Sequence, residues 1–166
     1  AIPLMKRRQS FFVHHAWFII AVTAVLAIMG CHERRTYHHY QPVNTSCWAM
    51  TDTLRFTPEN IDYEGDYRVS IGARVDDHYA YRNLWLVVEQ RTLKGLRTAH
   101  RDTVNLILAD SHGAWLTQGV VLHVAEEEGA TTRLEKDECY EFLVYHIMSD
   151  QHLVGVNDVG VTLSPD

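Results

Sequence analysis

The chain has 166 residues, a formal net charge of -6, 22% charged residues and 10% aromatics. That composition suits one globular domain and excludes a disordered or collagen-like chain. Lys6, Arg7 and Arg8 precede the first acid, Glu33; the 15 basic residues less these three leave 12 against 21 acids from Cys31 onward, about -9. A segment this acidic is a poor match for nucleic acid, whose phosphates need Lys and Arg to neutralise them, and for direct adhesion to anionic lipid.

The first element is a leader. Lys6-Arg7-Arg8 is followed by an apolar run from Ala16 to Met29 and then by Gly30-Cys31, the layout of an export signal. The alternative is an uncleaved transmembrane helix. The clean apolar stretch would reach only ~21 Å as a helix, short of the ~30 Å hydrocarbon core, and His14 and His15 interrupt any extension toward Phe11. Residues 1–30 are therefore expected to form a signal helix, residues 31–46 a polar tether with a first strand near Tyr37–Gln41, and residues 47–166 the folded domain.

Beyond the tether, period-two patterning predicts strands. Asp52–Thr57 places Leu54 and Phe56 on one face. Tyr67, Val69, Ile71, Ala73 and Val75 alternate with Arg68, Ser70, Gly72 and Arg74. Leu84, Leu86 and Val88 oppose Trp85, Val87 and Glu89 within Asn83–Arg91, and Leu106 and Leu108 oppose Asn105 and Ile107 within Thr103–Ala109. Tyr140, Phe142 and Val144 oppose Glu141, Leu143 and Tyr145 within Cys139–Met148, and Val159, Val161 and Leu163 share a face of Val156–Leu163. Turn signals stand between them, among them Glu64-Gly65-Asp66, Asp76-Asp77, Lys94-Gly95, Asp110–Gly113, Glu128-Gly129 and Asn157-Asp158. No alternation of strand and helix patterns appears. The fold class is all-β, an antiparallel β-sandwich of Ig-like or jelly-roll-like type behind the N-terminal signal helix.

Several residues invite chemical readings. Asp110, Ser111 and His112 are triad residue types, but they are consecutive, whereas a triad needs side chains converging from separate positions. They read as a turn. The 11 His residues show no H-E-x-x-H or Cys/His finger spacing. His146 is the one to watch, because it shares a face with Tyr140, Phe142 and Val144; a hydrogen-bonded, semi-buried His is the expectation. Asn60–Asp66 alternates acids with a Gly but lacks the distal Glu and the spacing of a calcium loop. No metal and no cofactor is expected. Cys47 and Cys139 could bridge in an oxidising compartment or stay as free thiols or small core residues.

Trp48, Trp85 and Trp115 are expected chiefly to pack. Trp85 would face outward if its sheet is covered on one side only, and Trp115 would plug an end of the sandwich. Arg74 is expected to pair with an acid, Asp76 and Asp77 being nearest in sequence.

The order and spacing of certain residues are more specific than a strand pattern. Ile28-Met29-Gly30-Cys31 resembles the lipobox of bacterial lipoproteins. Trp48 and Asp52 precede Phe56; Arg74, Tyr79 and Tyr81 lead into Asn83-Leu84-Trp85-Leu86. Ala109-Asp110 is followed by Gly113-Ala114-Trp115-Leu116 and Gly119, and His146 and Met148 come before Leu153-Val154-Gly155-Val156-Asn157-Asp158-Val159-Gly160. This series resembles the gliding-motility lipoprotein H (GldH) family of the Bacteroidota over residues 31–163. Thr117-Gln118 departs from the Gly-Lys often found there in the family.

The resemblance implies that Cys31 is acylated and becomes the new N-terminus. It also implies an envelope protein, membrane-held through its lipid and associated with the gliding apparatus and its linked secretion machinery, with other envelope proteins as partners and no catalytic residues to carry over. His32-Glu33-Arg34-Arg35 is mixed in charge and lacks the acidic run that the resemblance associates with surface export, which implies a periplasm-facing domain. The candidate binding or structural positions are Trp48, Arg74, Asn83, Trp85, Asp110, Trp115, His146 and Asp158. The alternative function is a glycan- or ligand-binding sandwich that uses Trp85, Tyr79 and Tyr81 as an aromatic platform.

Overall fold

Alternate residues along each long strand bury one face, and two sheets close over the apolar sides. A computed structural model describes residues 37–59, 61, 63–94, 97–116 and 121–166. Residues 1–36, including the leader and Cys31, lie outside the described set. The ten strands are β1 (Tyr37–Pro42), β2 (Trp48–Ala49), β3 (Leu54–Phe56), β4 (Gly65–Val75), β5 (Asn83–Thr92), β6 (Arg97–Ile107), β7 (His123–Leu134), β8 (Tyr140–His146), β9 (His152–Leu153) and β10 (Val156–Pro165). All pairing is antiparallel, and no helix appears among the described residues.

Five pairs nest inside one another: β1 with β10, β2 with β9, β3 with β8, β4 with β7 and β5 with β6. The chain is thus one long hairpin, tipped by the β5–β6 turn, that is folded over itself. The folding-over brings β10 beside β4 and β5 beside β8. Two four-stranded sheets result, β1-β10-β4-β7 and β3-β8-β5-β6. Among the eight strands of these two sheets, only β5 and β6 follow one another within one sheet; every other connection crosses between sheets. The sandwich is therefore of the jelly-roll type, not the Ig-like one. The two-residue pair β2–β9 marks the corner where the folded hairpin passes from one sheet to the other.

The core lies between the sheets. Ile71, Ala73, Val75, Val159 and Val161 face Leu84, Leu86, Leu106, Phe142 and Val144 as buried residues, with Phe56 and Trp48 at the β2–β3 side. The alternation read from the sequence is the alternation found. Side chains also tie the lateral edges: Gln41 Nε2 of β1 donates to the Arg55 carbonyl of β3 at 2.6 Å, and Asp102 Oδ2 of β6 accepts the Ala130 amide of β7 at 3.0 Å.

Two strand readings need correction. β7 has no counterpart in the predicted set, and β6 begins at Arg97 rather than Thr103. Both are edge strands with one hydrogen-bonded neighbour in their sheets. Glu126, Glu127 and Glu128 lie exposed on β7, and its register shifts beside Arg68 and Ser70 of β4. Charges and bulges keep an edge from pairing with other chains, and the same features erase the alternation that marks a strand. Glu128-Gly129 is accordingly part of a bulged strand, not a turn.

The outer face of the β1-β10-β4-β7 sheet carries a second organising feature. Tyr40, Gly160 and Gly72 stand side by side on β1, β10 and β4. The Tyr40 ring lies flat over the two glycines, and a Cβ on Gly160 would come within 2.5 Å of it. Arg74 stacks on the other side of the ring, 4.7 Å from its centroid. Gly160→Ala should therefore destabilise the domain by about 1–3 kcal/mol through overpacking. In urea unfolding, adding Tyr40→Ala should cost markedly less in that background than in the parent. Strict additivity would show that the ring and the glycines are not coupled.

Candidate functional site

The first cluster is at the β2–β9 corner. Trp48 is 1% exposed and His146 is fully buried. Their rings meet edge to face at 4.9 Å, and His146 Nε2 is 3.2 Å from the Trp48 carbonyl, which fixes the proton on Nε2. Trp48 Nε1 donates to the Asp52 carbonyl at 3.1 Å, closing the turn into β3. His146 Nδ1 has no partner. Burial pushes the imidazole below its ordinary value, partly opposed by the Trp48 carbonyl. This is a structural arrangement: no nucleophile or carboxylate shares a hydrogen bond with the ring.

The second cluster is the Arg74–Asp158 pair. Arg74 Nε reaches Asp158 Oδ1 at 2.5 Å across the β4–β10 register. The expected partners Asp76 and Asp77 are engaged otherwise. Asp76 Oδ1 accepts the His78 amide at 2.9 Å, and its Oδ2 accepts from Asn157 Nδ2 at 3.2 Å; Asp77 bonds His123 Nε2 at 3.1 Å. Strand register brings Asp158 to Arg74, a placement that sequence distance hides. Gly155 adopts φ +81, and a Cβ there would stand 2.8 Å from the His78 carbonyl carbon, so glycine alone fits the junction of the 76–79 turn with β10. Leu153, Gly155, Asp158 and Gly160, all members of the C-terminal motif, are thus joints of the fold.

The third region is an open cleft of about 310 Å³ at one end of the sandwich, between residues 79–82 and 109–115. Asp110 Oδ1 accepts the His112 and Ala114 amides at 2.8 and 2.9 Å, and Ala109 bridges Trp115. Asp110–Gly113 is therefore a turn; Ser111 Oγ sits 3.3 Å from the adjacent His112 Nδ1, and both are exposed. Trp115 is half-buried against the core and stacks on His123 at 4.0 Å and 11°. Tyr79 is buried with its hydroxyl on the Asn83 carbonyl, while the Tyr81 hydroxyl donates to Asp150. Asn83 Nδ2 also holds Asn105 Oδ1 at 2.9 Å across β5–β6.

The fourth region is the outer face of the β3-β8-β5-β6 sheet. Trp85 is 40% exposed, and Ile107 and Ile147 are each 42% exposed. Ile147 donates its amide to the Trp85 carbonyl at 3.0 Å, and Ile107 stands opposite Asn83, two residues along β5. Farther along the same face Glu89 accepts from Arg91 at 2.8 Å and from Tyr145 at 2.9 Å, Arg101 donates to Tyr145 at 2.9 Å, and Arg55 bonds Glu141 at 3.0 Å. Glu89 is held below the usual carboxylate range by these partners, against the opposing effect of burial. The face is an apolar end joined to an ionic network whose members satisfy one another.

The structure does not assemble Trp85 with Tyr79 and Tyr81 as one platform: Tyr79 is core, and Trp85 lies on the outer sheet face. Sequence reasoning passed over Tyr40, His123, Ile107 and Ile147. Ile107 and Ile147 could be found only by noticing apolar residues on the polar phase of their strands.

Cys47 and Cys139 are free and exposed. They adjoin opposite ends of β8, Cys47 through Trp48 on His146 and Cys139 directly before Tyr140. The seven residues of β8 set those ends ~20 Å apart, far beyond the ~7 Å Cα limit of a bridge. They are neither a disulfide nor core residues. Within the Asn60–Asp66 segment, residues 60 and 62 lie outside the described set and Glu64 pairs with Arg133 at 2.6 Å. No group of three or more His, Cys, Asp or Glu able to hold a metal occurs among the described residues. No helix among them is long and apolar enough to cross a membrane.

Residues 35–163 match the model of the GldH lipoprotein family. The chain belongs to the GldH family. It is 29% identical over 112 residues to the gliding motility lipoprotein GldH homolog of Christiangramia forsetii, a match that covers 68% of this chain and 64% of that protein. It is 24% identical over 100 residues to the gliding motility lipoprotein GldH of Flavobacterium johnsoniae, covering 60% of this chain and 61% of the relative. The chain thus spans less than two thirds of either GldH relative. Among solved structures, the Eiger TNF of S. frugiperda aligns at a TM-score of 0.35 and 12% identity over 79% of this chain and 92% of its own, a likeness too slight to carry an argument.

The buried His146 makes stability depend on pH. Its folded pKa lies below the ordinary 6.5, so the unfolded chain binds the extra proton first. Its contribution is intact above about pH 6.5 and is lost as pH falls through the folded value. Chemical denaturation at about pH 7.5 and about pH 5.5 should show the loss, and His146→Phe should flatten it. An unchanged slope in that variant would place the titration elsewhere.

Proposed function

We propose that this GldH-family chain is a non-catalytic, lipid-anchored interaction module of the cell envelope that joins other proteins of a gliding or secretion apparatus. One observation carries the reading: a tryptophan and two isoleucines are exposed together on the outer face of β3-β8-β5-β6. Aromatic anchors inside a polar rim are what protein contacts use, and a folded domain seldom leaves such a group uncovered without reason. Family membership supports the envelope setting, and the relatives' names supply the gliding association.

The motif residues support a non-catalytic role by what they are occupied with. Trp48, His146, Arg74, Asp158, Asn83 and the Asp110 turn each hold the fold together. The domain carries no cofactor in this reading. Its membrane attachment is the acyl group on Cys31, and its acidic side chains need not touch lipid or nucleic acid. A lipidated N-terminus carrying two or more chains gives stable anchorage where one gives only marginal binding. The domain faces the periplasm.

Two measurements test this. A photo-crosslinking residue at position 85 in the native cell should capture an envelope protein of the apparatus, and the same residue at Thr162, on the opposite sheet, should not; equal capture at both positions, or none, removes the contact surface. Separately, Cys31→Ala should abolish acyl labelling and release the protein from membranes. Retention of the unlabelled variant in the membrane would instead mark residues 11–29 as an uncleaved span.

A further inference from the structure

The cleft at the sandwich end has a composition that the protein-contact reading leaves unused. Its aromatic walls are held in place from behind. Trp115 stacks on His123, which Asp77 fixes in turn at 3.1 Å. Tyr81 meets Tyr79 edge to face at 5.7 Å, and its hydroxyl is bound to Asp150. The two walls are tied at the base, where the Arg82 carbonyl accepts the Leu108 and Ala109 amides at 2.9 and 3.0 Å. Rings that cannot turn lose little freedom when a ligand settles on them.

The polar groups come in complementary kinds. Arg82 is exposed and lines the cleft, and its guanidinium has no ion pair or hydrogen bond among the described residues. Most other described cations of this chain are paired, Arg55, Arg68, Arg74, Arg91, Lys94 and Arg133 among them. Asp110 spends Oδ1 on two backbone amides, and its Oδ2 makes no hydrogen bond, lying 4.0 Å from His112 Nδ1. The cleft therefore offers a donor-only group and an acceptor-only atom beside aromatic faces.

A hydroxyl both donates and accepts, so a ring of hydroxyls satisfies both ends, while the C–H face of a sugar covers an aromatic. An apolar peptide side chain would desolvate Arg82 and Asp110 without partners, which is unfavourable. An anionic ligand would meet Asp110 as well as Arg82, inside a domain of about -9 net charge. A volume of about 310 Å³ lies at the small end of ligand clefts.

We propose that this cleft binds a neutral pyranose of a glycan, with Trp115 and Tyr81 as its walls and Arg82 and Asp110 sharing its hydroxyls. The site is distinct from the Trp85 surface, so either can fail without the other. It also relocates the aromatic platform expected at Trp85, Tyr79 and Tyr81 to rings that the fold does bring together.

The test uses the full chain in a detergent without a sugar headgroup. The Trp115 indole N–H resonance, assigned with Trp115→Phe, is followed against cellobiose, maltose, lactose, mannobiose and diacetylchitobiose, with digalacturonate, a lysine-rich peptide and an apolar peptide as controls. At least one neutral disaccharide should shift that signal saturably, with a Kd of about 0.1–10 mM. Arg82→Ala, an exposed substitution that leaves the core intact, should weaken binding about tenfold or more, and Trp85→Ala should leave it unchanged. Absence of a saturable shift with all five neutral disaccharides up to about 50 mM would overturn the proposal. So would binding unaffected by Arg82→Ala, or binding of a control probe alone.

Discussion

The domain depends on β10 taking its place between β1 and β4. The last strand of the chain supplies an inner position of one sheet, so that sheet is not complete until β1 and β10, the first and last described strands, meet. Tyr37 pairs with Leu163, and Val161 pairs with both His39 and Ile71. Such pairings bring together residues far apart in the chain, and their loop-closure entropy must be overcome before contacts stabilise the fold. The nested order eases this, because each inner pair, beginning with β5–β6, shortens the effective loop that the next must close.

At the β10 junction the structural meaning of the motif residues becomes plain. Gly160 and Gly72 leave room for the Tyr40 ring, Arg74 covers the ring and is held by Asp158, and Gly155 lets the 76–79 turn approach. An aromatic over paired glycines restores the packing that missing side chains would otherwise forfeit. At the C-terminal end of β8, in the other sheet, Trp48 and His146 do the equivalent work where β2 meets β9. The residues that identify the family are thus mostly fasteners of a jelly roll, while Trp85, Tyr81, Asp110 and Trp115 among them also stand on the surfaces free to meet other molecules.

Those surfaces differ in kind. The outer face of β3-β8-β5-β6 has apolar groups set beside an ionic network that is already internally paired, so a partner gains chiefly from covering Trp85, Ile107 and Ile147. The end cleft is small and polar, with walls fixed by His123 and Tyr79.

Local alternation determined most of the fold by itself. Tyr67 to Val75, Asn83 to Arg91, Tyr140 to Tyr145 and Val156 to Leu163 announce their buried faces because period two is a property of the strand alone. The Asp110 turn is legible for the same reason: its side chain bonds amides two and four residues onward. The bulged acidic edge strand β7 was not legible, because an edge strand is paired and buried on too few sides to impose a pattern. The jelly-roll order, the Arg74–Asp158 pair, the separation of Cys47 from Cys139, the exposure of Trp85 with Ile107 and Ile147, and the cleft of Trp115, Tyr81 and Arg82 were decided only by tertiary structure. Each depends on which distant strands lie side by side and in what register, and that is a property of the closed sandwich, absent from any single segment.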